Sequence, residues 1–181
     1  LKEDKKKIYK LRSKNFKVNI LRNATLYGFS NSMRLDLVIN VFSYLLLNNK
    51  KITIDGDGKQ SRPFLSVNDV SRMYEYIIKK NSDSFIVNAL AFSTNIDSLS
   101  KKIVKILNKP KSLIKFNLSN KDHRNYNVGS KNFRRYFKSF KFTKIEKDLR
   151  KLINQIRIKG FKPNAKTVRV KFYKKKLMAL K

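Results

Sequence analysis

The sequence contains no cysteine, a single histidine and few acidic residues. Without cysteine, the chain can form neither a disulfide scaffold nor a thiolate metal site. With His123 as the only histidine, a histidine cluster for a metal ion is excluded as well. No apolar run approaches the roughly 18 residues of a membrane-spanning helix, and the first residues do not resemble a signal peptide. The missing initiator methionine leads us to expect a chain cut from something longer.

Basic residues dominate the composition: 44 Lys and Arg stand against 12 Asp and Glu, for a formal net charge of +32. Such a charge favours binding to a polyanion. A compositional bias explains it equally well, because Lys, Asn, Ile and Phe are all in excess and lysines occur from Lys2 to Lys181. With 41% apolar residues, the chain is too hydrophobic for a disordered polycation and long enough to bury a core.

The hydrophobic pattern alternates between the periods of strands and helices, which predicts an α/β or α+β fold. Strands are predicted over residues 17–22, 52–54, 62–67, 84–90 and 113–118, and a loop over 23–32. Helices are predicted over residues 35–48, 70–78, 96–107, 130–137 and 145–156. The second of these helices is expected to bury Val70, Met73, Tyr74, Ile77 and Ile78.

Local signals indicate where several elements begin and end. Asn68 or Asp69 is predicted to cap the second helix, and Thr143 has capping-box spacing before the last one. Gly160 is the predicted C-terminal stop of that last helix. Pro63 indicates an edge strand or an irregular strand start.

Two motifs with catalytic spacing are better explained by structure. Gly56-x-Gly58 lacks a third glycine, since position 61 is Ser61, and an extended segment follows it instead of a helix. Tyr76-x-x-x-Lys80 has the spacing of a dehydrogenase Tyr/Lys pair, in which the lysine lowers the pKa of the phenol. Its neighbours are those of an amphipathic helix, so we interpret this spacing as coincidence.

Four arginines lie at segment boundaries, where loops can converge on a ligand: Arg22, Arg34, Arg62 and Arg124. The planar guanidinium is suited to phosphate, and several together can hold a pyrophosphate. By position alone, ordinary solvated arginines remain the simpler interpretation.

A series of motifs then matches one family in order and spacing. Residues 20–28 resemble the motif LRxxxxYG, residues 33–40 resemble mRlDlvvN, and residues 57–70 resemble dG…xRpfvHVxDv. Residues 85–88 resemble fNvG, and residues 122–128 resemble DxRxYxV. Together these blocks resemble the NAD-dependent epimerase/dehydratase family, the extended short-chain dehydrogenase/reductases that act on nucleotide sugars.

The resemblance implies an α/β fold: the C-terminal part of a Rossmann-like doubly wound sheet with a small α+β substrate-binding domain, and no N-terminal dinucleotide-binding half. Residues 1–30 and 67–93 would supply the last Rossmann strands and helices. Residues 31–66 and 94–181 would form the substrate-binding region. The glycine-rich fingerprint and the catalytic Tyr-x-x-x-Lys are expected upstream of Leu1, so this chain alone would not hold NAD or NADP stably.

The resemblance also implies which residues bind the substrate. Arg62 matches the family arginine that contacts the diphosphate, and Arg124 belongs to a second basic block of the same site. Asn40 matches an asparagine that often touches the nucleotide. Arg34 and Thr25 complete the set, although the family's usual asparagine falls on Thr25.

A second group of matches concerns the cofactor side. Tyr27 and Gly28 match a loop near the nicotinamide, and Asp69 matches an aspartate expected to cap a helix. Two positions depart from the family pattern: Ser66 stands where many members have histidine, and Phe29 where proline is usual.

The sequence therefore predicts the substrate-binding half of a cytoplasmic nucleotide-sugar epimerase/dehydratase, with a homodimer possible in the intact enzyme. Its ligand would be a nucleotide-diphosphate sugar, and the isolated chain would be inactive. The alternatives are a basic nucleic-acid-binding module and an inactive truncated gene product. Epimerisation, dehydration and reduction, and the identity of the sugar, stay open.

Overall fold

A computed structural model describes residues 2–80, 83–120, 125–126, 128–164 and 167–168. The elements follow in the order α1 (Lys2–Lys10), β1 (Asn19–Asn23), β2 (Thr25–Tyr27), α2 (Val38–Leu47), β3 (Ile52–Asp55), β4 (Ser61–Ser66), α3 (Val67–Lys80), β5 (Phe85–Ala89), β6 (Phe92–Asn95), α4 (Ile96–Ile106), β7 (Ile114–Asn117), α5 (Phe133–Tyr136) and α6 (Ile145–Ile158). One turn of 3-10 helix precedes β7 at Lys111–Leu113.

The described strands form three small sheets. β1 pairs in parallel with β5, and β3 pairs in parallel with β7. In the third sheet, β4 lies between β2, to which it is parallel, and β6, to which it is antiparallel. Each parallel pair is joined through a crossover that contains at least one helix. The predicted α/β class is therefore confirmed.

The predicted loop at 23–32 and the predicted start of the first long helix are wrong in part. Residues Thr25–Tyr27 form β2, and β6 was not predicted. Both strands are three or four residues long and pair with β4, so their pairing partners are remote in sequence. The helix begins at Val38 and not at Leu35. Leu35 lies in a turn, and its N–H donates to the carbonyl oxygen of Thr167 at 2.7 Å.

Pro63 lies in the central strand of its sheet, so the prediction of an edge strand is wrong for β4 as a whole. The reason lies in the register. Pro63 pairs with Ser93 of β6, whereas the pairing of β4 with β2 starts one residue later, at Phe64. At the proline itself, the strand has a neighbour on one side, and the missing N–H costs no ladder hydrogen bond there.

Two apolar cores hold the elements together. The larger is mainly aliphatic and lies among α2, β3, α4 and α6. The smaller is aromatic and lies beneath β5, α3 and α5, where Phe133 stacks on Phe137 with ring centroids 4.7 Å apart. On α3, Val70 and Met73 are buried as predicted, but Tyr74 and Ile78 are 49% and 79% exposed.

The predicted caps have mixed outcomes. The cap of α3 is Ser66, whose hydroxyl oxygen accepts from the N–H of Asp69 at 3.1 Å, so the assignment to Asn68 or Asp69 is wrong. Gly160 is confirmed as the stop of α6: its φ is +55°, and the next N–H returns to the carbonyl oxygen of Ile156 at 3.1 Å. The capping box at Thr143 is wrong.

Thr143 is engaged by Asp69 instead. The fully buried Asp69 carboxylate accepts from the hydroxyl of Thr143 at 2.8 Å, from its backbone N–H at 3.0 Å, and from Arg72 at 2.8 Å. Arg72 also donates to the carbonyl oxygen of Lys141 at 3.1 Å. This network fastens the segment before α6 to the first turn of α3.

Replacing Asp69 by alanine should therefore destabilise the fold. The substitution Asp69→Ala leaves the N–H and hydroxyl of Thr143 without their acceptor, and we expect a loss of about 2–3 kcal/mol in the free energy of unfolding. Urea denaturation measures it. The control Asp83→Ala removes a surface ion pair whose carboxylate is 92% exposed, and should change stability by about 0.5 kcal/mol or less. Equal losses in the two variants would contradict the assigned role.

Candidate functional site

A cleft of about 360 Å³ opens between the beginning of α2, β3, the first half of β4 and the start of α4. This concave site is called the cleft below. Its wall is formed by Thr25, Asp36, Leu37, Val38, Val41, Phe42, Thr53, Ile54, Asp55, Gln60, Arg62, Ile96 and Tyr126. Apolar side chains from α2 and β3 face hydroxyl, amide, carboxylate and guanidinium groups. Such a mixture suits a ligand with an apolar or aromatic part and a charged part.

Arg62 is the basic residue of the cleft wall, and Tyr126 orients it. The guanidinium carbon lies 5.1 Å from the centroid of the Tyr126 ring, within the range of a cation–π interaction. Arg62 also donates to the carbonyl oxygen of Ser61 at 2.8 Å. Tyr126 is fixed in turn, because its N–H donates to that same oxygen at 3.2 Å and the side chain of Asn125 accepts from the N–H of Ser61 at 3.1 Å.

Asn40 and Arg34 lie behind the cleft wall. The amide oxygen of Asn40, a residue only 3% exposed, accepts from the N–H of Gly28 at 3.0 Å, and its nitrogen donates to the carbonyl oxygen of Arg34 at 3.0 Å. Arg34 forms two hydrogen bonds of 2.9 Å with Asp36, and they raise the pKa of Arg34 above its ordinary value. Asp36 is itself on the wall, so Arg34 acts on the cleft through Asp36.

Tyr27 and Gly28 are buried at the end of β2. The Tyr27 hydroxyl lies 3.3 Å from a carboxylate oxygen of Asp148 and donates to it. Burial, and then the charge of Asp148, raise the pKa of Tyr27 far above its usual value, so the phenol keeps its proton. Gly28 has φ +131°, and a Cβ there would lie 2.5 Å from a methyl group of Val67.

This burial bears on the cofactor prediction. The Tyr27 hydroxyl already donates to Asp148, and the Gly28 N–H already donates to Asn40. Both residues therefore have a structural role, and their predicted contact with NAD stays a prediction.

The residues predicted to bind substrate fall into three groups. Thr25 and Arg62 meet in the cleft, although 36 residues separate them in the sequence. Asn40 and Arg34 support the cleft from behind. Arg124 lies outside the described residues.

Sequence reasoning missed Tyr126 and the two carboxylates of the wall, Asp36 and Asp55. For Tyr126 a signal was present, because it is the tyrosine of the DxRxYxV block. Asp36 carried a signal too, because it is the aspartate of the mRlDlvvN block, whereas nothing in the pattern separated Asp55 from ordinary turn acids.

The Tyr76/Lys80 pair does form a contact. The ammonium nitrogen of Lys80 lies 2.9 Å from the phenol oxygen of Tyr76, and this hydrogen bond is the main cause that lowers the tyrosine pKa. Lys80 is exposed on α3, the Tyr76 ring packs against Phe137, and neither residue lines the cleft.

Two further features are absent from the described part of the chain, a metal-binding cluster and a membrane-spanning helix. It contains no group of three or more His, Cys, Asp or Glu side chains that could hold a metal ion. Its helices also include none long and apolar enough to cross a membrane.

Residues 8–89, which span β1 to β5 and include Thr25 and Arg62, match the model of the NAD dependent epimerase/dehydratase family. This part of the chain is therefore similar to members of that family. A dTDP-D-glucose 4,6-dehydratase of Dictyostelium discoideum is 36% identical over 70 residues, which are 38% of this chain and 16% of that protein.

Solved structures of the same kind show the shared fold. A UDP-glucose 4-epimerase of Thermotoga maritima, in complex with UDP-glucose, superimposes with a TM-score of 0.71 at 19% identity, over 88% of this chain and 52% of that one. A UDP-N-acetylglucosamine 4-epimerase of Bacillus cereus gives 0.70 at 18% identity, over 90% and 52%. The chain thus spans about half the length of these structures, and the Rossmann-like fold is confirmed. The predicted domain boundaries stay a prediction.

Three glycines provide a graded test of the β2–α3 junction. Gly28→Ala combines a positive φ with a clash at Val67 and should lower stability by at least about 2 kcal/mol. Gly160→Ala has the strained φ without any neighbour within 4 Å, and should cost about 1 kcal/mol. Gly129→Ala meets neither restriction and should be neutral. Thermal unfolding ranks the variants, and a Gly28→Ala protein as stable as Gly129→Ala would contradict the close approach.

Proposed function

We propose that this chain is the nucleotide-sugar-binding part of an NAD(P)-dependent epimerase or dehydratase. In this proposal, an N-terminal half outside the present sequence carries the cofactor and the catalytic Tyr/Lys pair. The observation that carries it is the convergence of Arg62, Thr25 and Tyr126 on one cleft of a family member. The share of the solved structures that the chain spans, about half, agrees with it.

The cleft provides separate surroundings for the two ends of such a ligand. The guanidinium of Arg62 offers a planar set of donors for the diphosphate. Val41, Phe42 and Ile54 offer apolar surface for the nucleoside. The Thr25 hydroxyl and the Gln60 amide can hydrogen-bond to hydroxyl groups of the ligand.

The carboxylates of the wall need an explanation, because an anionic ligand would be repelled by them. Asp36 is neutralised by the two-fold hydrogen bond from Arg34 at 2.9 Å. Asp55 lies at the end of β3 and can accept from ribose or sugar hydroxyls. Arg34 therefore contributes to diphosphate binding by cancelling a nearby negative charge, without touching the ligand.

NAD, the cofactor of the family, supplies hydride transfer when it is bound. The phenol of Tyr27 and the N–H of Gly28, the residues predicted beside the nicotinamide, already have partners within the chain, so we assign cofactor binding to the other half. The contribution of this chain is to bind and orient the sugar nucleotide.

The central test is the affinity for a uridine nucleotide. Arg62→Ala should weaken binding of UDP by roughly 10- to 100-fold, because a charge-assisted hydrogen bond to phosphate is lost. Titration calorimetry at physiological salt measures the change. Arg135→Ala, which removes an exposed arginine that does not line the cleft, should leave the affinity unchanged. An equal loss in both variants, or UDP binding that is insensitive to Arg62, would contradict the proposed site.

A second expectation concerns turnover. The chain alone should bind UDP-glucose but convert neither it nor dTDP-glucose in the presence of NAD, because the acid–base pair that accompanies hydride transfer belongs to the other half. Product analysis by chromatography and absorbance of reduced cofactor check this. Conversion by the purified chain would show that the catalytic groups lie within it, and Tyr76→Phe would then reveal whether the exposed pair on α3 is responsible.

A further inference from the structure

A second concave surface lies between α4 and α6, away from the cleft, and shares no lining residue with it. It has a volume of about 820 Å³ and is called the basic groove below. Its basic side chains are Lys101, Lys102, Lys105, Lys109, Lys111 and Arg150.

The charge of the basic groove exceeds what the composition explains. Six of its nine lining residues are Lys or Arg, against 44 of 181 in the chain. The cleft is formed by the same lysine-rich chain, yet only one of its thirteen lining residues is basic and two are acidic. A bias that acts on every position would have enriched both surfaces. Cations are therefore concentrated in the groove and not in the cleft.

Four of these six cations have no carboxylate counterion among the described residues, and one of the four, Lys109, donates to the side-chain oxygen of Asn49 instead. Lys101 pairs with Asp97 at 2.7 Å and Lys102 with Glu146 at 2.9 Å. Lys105, Lys111 and Arg150 are exposed and have no ion pair within the described ranges. Their mutual repulsion is relieved when an anion enters between them, so the free groove attracts a ligand with several negative charges.

The remaining lining residues indicate which polyanion this is. Val104 is buried and Ile106 half-buried, so neither forms a pocket for an apolar anchor of an acidic peptide. None of the nine lining residues is aromatic or an amide, so the groove offers no ring for stacking on bases and, apart from Glu146, only cationic polar groups to a ligand. A surface that offers charge alone gains most from nucleic acid, because binding releases its condensed counterions.

We propose that the basic groove binds the phosphate backbone of nucleic acid without regard to sequence. This activity is independent of the sugar-nucleotide cleft. The ligand contacts are between phosphate oxygens and the side chains of Lys105, Lys111 and Arg150, with the paired lysines at the margin.

The test compares two variants with the same change in net charge. Lys105, Lys111 and Arg150 are replaced together by glutamine in one, and Lys7, Lys10 and Lys14, which lie on or just after α1, in the other. Binding of a fluorescent mixed-sequence duplex of about 20 base pairs is followed by anisotropy from about 50 to 200 mM salt. The groove variant should bind at least about tenfold more weakly, and the slope of log K against log salt should fall by about 3.

The control variant should keep most of the affinity and slope of the unchanged chain. Equal losses in the two variants would assign binding to diffuse charge and overturn the proposal, as would the absence of binding by the unchanged chain. Polyglutamate of similar charge that competes as well as the duplex would point to an acidic polypeptide instead, and would also overturn it. Unchanged UDP affinity and circular dichroism of the groove variant establish that it is folded, and Arg62→Ala should leave duplex binding intact.

Discussion

Two buried carboxylates, those of Asp69 and Asp148, hold α6 against the ends of β2 and β4. Asp69, at the start of α3, accepts three hydrogen bonds and two of them come from Thr143, just before α6. Asp148, in the first turns of α6, accepts from Tyr27 at 3.3 Å and from Asn68 at 3.4 Å. The two carboxylates thus secure the beginning of one helix, in a chain that has only 12 acidic residues.

The position of α6 matters to both candidate surfaces. Its buried residues Leu149, Leu152 and Ile156 pack into the core shared with α2 and α4. α2 forms part of the cleft wall, and α4 contributes to the cleft with its first residue and to the basic groove with its later turns. A shift of α6 would displace Arg150 directly and would loosen the support of α2 and α4. Both the cleft and the basic groove therefore depend on the position of α6.

The same junction explains why β2 must end in glycine. Tyr27 pairs with Ser66 in the parallel register of β2 and β4, so the following residues, Gly28 and Val67, come together as the two strands end. Val67 opens α3 immediately after Ser66, and the turn into the helix brings its side chain over the backbone of Gly28. The close approach of Gly28 to Val67 is thus explained by helix–strand packing, without any ligand.

How much of this could be predicted from the sequence depends on how local each signal is. β1, β3, β5 and β7 carry their own apolar patterns and were predicted, whereas β2 and β6 exist because β4 offers them hydrogen bonds. Thr143 had the residue type and spacing of a cap, but the buried carboxylate of Asp69 competes for its hydroxyl and lies 74 residues away. No pattern within a few residues of Thr143 contains that information.

For the residues of the cleft, too, the sequence predicted only part of what the structure shows. A motif match identifies positions that matter to a site, but it does not separate a residue that faces the ligand from one that supports it. Arg62 and Asn40 both fell in matched motifs, and only the structure distinguishes the wall residue from the buried amide that ties Gly28 to Arg34. A departure from the family pattern shows the same limit. Ser66, which stands where many members have histidine, caps α3, and the motif alone did not indicate this role.

The net charge of +32, read as one number, conceals an uneven distribution. In the cleft, Arg34 neutralises Asp36, and Asp55 and Arg62 line the same wall, so the cleft carries charges of both signs. In the basic groove, cations accumulate on α4, on α6 and just after α4, and four of the six have no ion pair among the described residues. Because electrostatic fields are screened beyond about 10 Å at moderate salt, each surface responds to its own residues and hardly to the total. A uniform bias towards lysine sets how many cations the chain has, and the packing of α4 on α6 determines where they act together.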